Sequence, residues 1–90
     1  MGVEWDPDKA AGNARKHGVD FADAVIALED PNSITAEDPD AIGEERYISM
    51  GADPYGRILV TVFAYCDRNI RIISSRKASK QERRCYEESK

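Results

Sequence analysis

His17 is the chain's only histidine, and imidazole is the side chain whose ordinary pKa lies nearest neutrality. It follows Arg15 and Lys16 at what reads as a helix end, where carbonyl dipoles favour a protonated ring. Such a ring suits general acid work or a phosphate contact better than proton abstraction. It can equally do no more than cap the last carbonyls beside Gly18. Arg71 and Arg76 carry planar guanidinium forks that match two phosphate oxygens. An odd separation points them to opposite faces of a regular strand, so they share a site only if the strand ends or bulges first. Taken singly, each also reads as a solvated strand charge.

Three further residues stand near this set. Lys9 precedes His17 by eight positions, roughly 80° round the same helix, so the two can border one groove; an exposed first-turn lysine is the plainer reading. Arg83 and Tyr86 are three apart and share a helix face. Tyr86 either stacks on a base or anchors its helix in the core. The chemistry open to an imidazole among cations is phosphate binding and metal-free phosphodiester cleavage.

The elements that must position these groups follow from local pattern. Val3–Trp5 is short and extended. Asp6 is a suitable N-cap with Pro7 at the first helical position, and the helix runs to about Lys16 and stops at Gly18. Asp20 caps a second helix, with Phe21, Ala24, Val25 and Leu28 as its apolar stripe. Asp30-Pro31-Asn32 ends it. The period then changes to that of strands: Ser33–Ala36, an acidic loop over Glu37–Glu45, and Arg46–Met50. A turn at Asp53-Pro54-Tyr55-Gly56 leads into Arg57–Tyr65, apolar on both faces and so predicted to be central. Asp67-Arg68-Asn69 reverses the chain into Ile70–Lys77. Ser79 and Glu82 form a capping-box pattern opening a last helix to about Glu88. The order β-α-α-β-β-β-β-α predicts an α+β fold over residues 1–90, a small antiparallel sheet with two N-terminal helices and one C-terminal helix.

Composition narrows the function classes. At 41% hydrophobic and 33% charged over 90 residues, the chain reads as one soluble domain. No apolar run approaches the roughly 20 residues of a membrane span, and no secretory segment is evident, so a cytoplasmic product is expected. Cys66 and Cys85 match no zinc spacing, and the acidic loop does not match a calcium-binding loop; neither a metal nor another cofactor is expected. The net charge of −4 hides a segregation. Residues 20–56 carry ten acids against the single Arg46, a net −9, whereas residues 57–90 carry nine bases against four acids, a net +5. Two surfaces with different partners are implied: a basic one for phosphate and an acidic one for a basic protein.

Several stretches together resemble the BrnT family of toxins. They are Glu4-Trp5-Asp6-Pro7 with Lys9, then Arg15-Lys16-His17-Gly18-Val19 with Phe21. Arg71-Ile72-Ile73-Ser74-Ser75-Arg76-Lys77-Ala78 follows, with Glu82-Arg83 and Tyr86 downstream. Gly56-Arg57 is a weaker fourth point, and Ser75 stands where such proteins often have alanine. The resemblance implies a RelE-like fold and endoribonuclease activity. It also implies neutralisation by a DNA-binding BrnA-type antitoxin, with DNA engaged only through that complex and no membrane partner. It places His17, Arg71, Arg76, Lys9 and Tyr86 as catalytic candidates and Arg57, Lys77 and Arg83 as RNA contacts. Asp40, Glu44 and Glu45 are then candidates for antitoxin contact. A binding module without catalysis, working through the basic third or the acidic loop, is the competing reading.

Overall fold

The computed structural model describes residues 2–90. The elements run β1 (Val3–Glu4), α1 (Pro7–His17), α2 (Phe21–Leu28), β2 (Ile34–Glu37), β3 (Tyr47–Ala52), β4 (Ile58–Cys66), β5 (Asn69–Lys77) and α3 (Lys80–Glu88). This is the expected order. The five strands form one sheet in the order β1-β5-β4-β3-β2. β2 to β5 pair antiparallel in sequence order, but β1 pairs parallel to β5, so the sheet is mixed. A two-residue strand leaves no periodicity from which that pairing can be read.

Helix α1 starts where Asp6 accepts the Asp8 amide at 2.8 Å and ends at Gly18, whose φ of 68° is left-handed. Asp20 occupies the cap position of α2, yet its carboxylate makes no capping bond, contrary to expectation; its main-chain carbonyl alone accepts from Asp23 and Ala24. Phe21 and Ala24 pack on Ile72, and Ala27 packs with Val19 and Leu59. Gly51 allows this approach: a β-carbon there would overlap the carbonyl oxygen of Ala27. α3 carries the full capping box, with Ser79 Oγ accepting the Glu82 amide and Glu82 accepting the Ser79 amide.

Asn13 joins α1 to the sheet, and nothing in the sequence marked it. Its amide nitrogen donates to the carbonyls of Val19 (3.0 Å) and Ser75 (2.8 Å), and its oxygen accepts the Ser75 amide at 3.0 Å. The carboxamide thus satisfies the stretch of β5 edge that short β1 does not reach. Ser75, wholly buried, spends its hydroxyl on Thr61 at 2.9 Å. That bond gives the serine at this position a partner that alanine would lack.

The register of β4 and β5 slips between Val62 and Phe63: Val62 faces Ser74, but Phe63 faces Ile72, leaving Ile73 as the extra residue. Arg76 lies opposite Val60 and Arg71 opposite Ala64. Val60 and Ala64 are four apart on one strand, so the bulge turns both arginines to the same face. It is the face away from α1 and α2, because Leu59, on the alternate side of β4, packs with Val19 and Ala27.

Replacing Asn13 by alanine should cost about 3 kcal/mol of unfolding free energy, because three main-chain groups lose their partner inside the protein. Urea unfolding of the two proteins measures this.

Candidate functional site

The β3–β4 turn is built around Asp53, whose side chain is buried. One of its oxygens accepts the amides of Tyr55 (2.9 Å) and Arg57 (2.8 Å), and the other accepts Arg57 Nε at 2.7 Å. The guanidinium of Arg57 continues outward, donating to the Gly18 carbonyl at 3.1 Å and lying 3.5 Å from Asp23. One arginine therefore fastens the turn to the junction of α1 and α2, next to His17. Its guanidinium carbon also sits 5.5 Å from the centroid of the Tyr55 ring.

Beside this fastening is a concavity of about 420 Å³ whose walls include Tyr55, Arg57, Lys77 and Arg83. The three cations come from the start of β4, the end of β5 and the first turn of α3. Lys77 and Arg83 are exposed, and neither has a carboxylate within 4.0 Å among the described residues. The three residues expected to contact RNA thus line one surface. Tyr55 was not foreseen there, since a tyrosine in a Pro-Gly turn carries no signal of its own.

The other candidates lie elsewhere. Arg76 is at the same end of the sheet but on the far face, forked onto Glu82 at 2.8 and 3.0 Å. Arg71 donates from Nη2 alone to both Glu44 oxygens, at 2.7 and 2.9 Å, and lies roughly 14 Å along the sheet from Arg76, the four steps from Val60 to Ala64 at about 3.4 Å each. Arg71 and Arg76 share a face without converging on one phosphodiester. Lys9 is exposed at the opposite end of α1, roughly 12 Å along the axis from His17. Tyr86 is 2% exposed and donates its hydroxyl to Asp30, so it anchors α3 on the turn after α2. That bond, with burial, pushes its phenol up to about 12. Burial alone would raise the Asp30 carboxyl, but bonds from Tyr86 and from the Ala52 and Asn32 amides hold it below its usual value.

In the acidic loop, Glu44 is held below the carboxylate range chiefly by the Arg71 hydrogen bond. Glu45 accepts the Tyr47 hydroxyl at 3.1 Å, and Asp40 is exposed. Between α3 and the bare sheet face is a trough of about 790 Å³, floored by Ile48, Met50 and Val60 and closed at one end by the Arg76–Glu82 pair. No group of three or more His, Cys, Asp or Glu among the described residues could hold a metal ion. No helix among them is long and apolar enough to cross a membrane.

Known proteins agree with this architecture. The family model described as "Ribonuclease toxin, BrnT, of type II toxin-antitoxin system" matches residues 5–82. The chain belongs to the BrnT ribonuclease toxin family. The crystal structure of the Brucella abortus ribonuclease toxin BrnT, at 1.1 Å, is 28% identical to this family member, with a TM-score of 0.65. The match covers 89% of this chain and 99% of that one. No curated protein matches the sequence. As a BrnT protein the chain is the toxin component of a type II toxin–antitoxin system, which sets the question of how its two charged surfaces are used.

The Arg76 fork and the Ser79 amide draw the Glu82 carboxyl down to about 2. The folded value lies below the ordinary one of about 4.3, so this contribution to stability is complete above that pH and is lost as pH falls toward 2. The stability difference between wild type and Glu82→Gln should therefore shrink steadily between pH 5 and pH 2. Chemical unfolding of both proteins across that range tests it; a constant difference would remove the ion pair from the account.

Proposed function

We propose that this BrnT family member is an endoribonuclease acting without a metal, by attack of a ribose 2′-oxygen on the adjacent phosphate. The observation that carries the reading is the concavity lined by Arg57, Lys77 and Arg83 next to the helix end that bears His17. In this proposal Lys77 and Arg83 hold the phosphate, because their charges are not spent on carboxylates. Arg57 shapes the wall, since its Nε and Nη1 are bonded to Asp53 and the Gly18 carbonyl. As the new P–O2′ bond forms, the 2′-hydroxyl proton passes to water, the P–O5′ bond breaks to leave a 2′,3′-cyclic phosphate, and His17 protonates the departing 5′-oxygen. Arg76 joins only if a phosphate displaces Glu82 from its fork, an exchange between two bidentate acceptors. Arg71 and Lys9 lie away from the cleaved bond. Tyr86 supports α3 from within.

The proposed partners follow the charge. RNA in the cytoplasm meets the basic end, and a DNA-binding antitoxin with a basic segment meets the acidic loop, bringing DNA into play only through their complex. Asp40 and Glu45 are exposed acids not paired with a cation among the described residues, Glu44 being engaged by Arg71.

Purified protein should cut single-stranded RNA equally well with and without EDTA, and induced expression should arrest growth. His17→Ala should slow cleavage by about 10²-fold or more with RNA affinity retained, the scale of a lost general acid. Lys77→Gln with Arg83→Gln should lower the slope of log affinity against log salt by about 0.7 per contact removed. Loss of cleavage in EDTA would overturn metal independence. RNA bound but never cut would favour the binding-module reading. Asp40→Asn with Glu45→Gln should weaken antitoxin binding more at low salt than at high salt, as calorimetry at two ionic strengths would show.

A further inference from the structure

Tyr55 is 75% exposed, a large aromatic surface left in water on a small protein. The turn that carries it does not need the ring. Asp53 closes that turn through main-chain amides, the Gly56 amide adds a bond to the Asp53 carbonyl at 3.1 Å, and the Asp53 amide donates to the Arg57 carbonyl at 2.9 Å. The ring packs instead against the Arg57 guanidinium, which two acceptors, Asp53 and the Gly18 carbonyl, hold in place with Asp23 as an ion-pair neighbour at 3.5 Å. An exposed aromatic is thus backed by an immobilised cation at the rim of a concavity whose other charged walls are Lys77 and Arg83. Its remaining lining, Gly56, Ile58 and Ala78, is neutral and offers no side-chain hydrogen-bonding group for a base edge.

We propose that Tyr55, backed by Arg57, is a stacking platform for one unpaired nucleobase, with the neighbouring phosphate on Lys77 and Arg83. The inference rests on the ribonuclease reading and adds to it the form of substrate the site takes. A paired base cannot reach the ring, so the platform selects single-stranded segments. Every base has a π-face, so stacking without edge contacts confers little base preference. Stacking on a ring already held by Arg57 also avoids the entropy of ordering a mobile side chain.

The test uses the full chain and two 12-nucleotide probes that cannot be cut: 2′-O-methyl oligouridylate and the same backbone without bases. Binding is followed by fluorescence anisotropy at several salt concentrations. Tyr55→Ala should weaken oligouridylate binding about tenfold, the order of one base stack, and leave the salt slope unchanged. Tyr55→Phe should stay within about twofold of wild type, because the ring and not the hydroxyl is at work. On the base-free backbone Tyr55→Ala and wild type should bind alike. Unchanged binding of Tyr55→Ala to oligouridylate overturns the platform, as does an equal loss on both probes or an equal loss in Tyr55→Phe. These outcomes leave the ribonuclease reading standing, whereas wild type binding neither probe would remove that reading itself.

Discussion

One guanidinium organises the basic end of this molecule. Arg57 immediately precedes the central strand, and its donors tie the buried Asp53 of the preceding turn to the carbonyl that ends the first helix. Those two places are far apart in sequence. Without the tie, the turn bearing Tyr55 and the helix end bearing His17 would be independent surface features. The guanidinium cannot be removed cheaply, because its loss would strand the buried Asp53 carboxylate. Position here is set by electrostatics in a shielded place, and the small apolar core under α2 supplies the shielding.

The arginines divide into those that build and those left free. Arg57, Arg71 and Arg76 each face a carboxylate at hydrogen-bonding distance, and Arg46 lies 3.6 Å from Glu44. Lys77 and Arg83 have no such partner among the described residues. A sequence count treats all of these cations alike, which makes the basic third seem more available than it is. Of the nine bases from Arg57 onward three meet carboxylates, and among those that do not, Lys77 and Arg83 line a common concavity where β5 ends and α3 begins. Arg76 shows the difference sharply: adjacent to Lys77 in the chain, it points to the other face and is drawn into the α3 cap through Glu82.

Much of the fold was legible. Caps at Asp6, Gly18 and Ser79 set helix ends to within about a residue, and the two-faced apolar run of β4 announced its central place. What escaped has physical reasons. Asn13 reads as a polar helix residue, and only the vacant edge of β5 explains its burial. β1 is too short to have a pattern, so its parallel pairing is a tertiary fact. The bulge at Ile73 was a condition the arginine spacing required for a shared face, yet no residue there marks it. Within the site, Arg57, Lys77 and Arg83 could be grouped from family-like motifs. Tyr86 could not be placed, because a lone aromatic on a charged helix fits both a core and a stacking role. Its burial against Asp30 decides between them, and no local pattern encodes Asp30 as its partner.

A net negative protein that handles RNA must keep its acids away from the phosphate. The loop Glu37–Glu45 meets β3 at Tyr47, opposite Phe63, whereas the basic concavity lies at Ile58 on the same central strand. Five residues of strand separate them by roughly 17 Å, about two Debye lengths at physiological ionic strength. At that range the acidic loop would barely oppose a phosphate at the other end. The nearer acids, Asp23 and Asp53, are already turned onto Arg57. The same separation lets one sheet present a basic end and an acidic end to different partners, so an occupant of the acidic loop need not compete for Lys77 or Arg83. Inhibition from that side would have to act by covering the route to the site or by moving α3, whose Glu82 holds Arg76 and whose Arg83 lines the concavity.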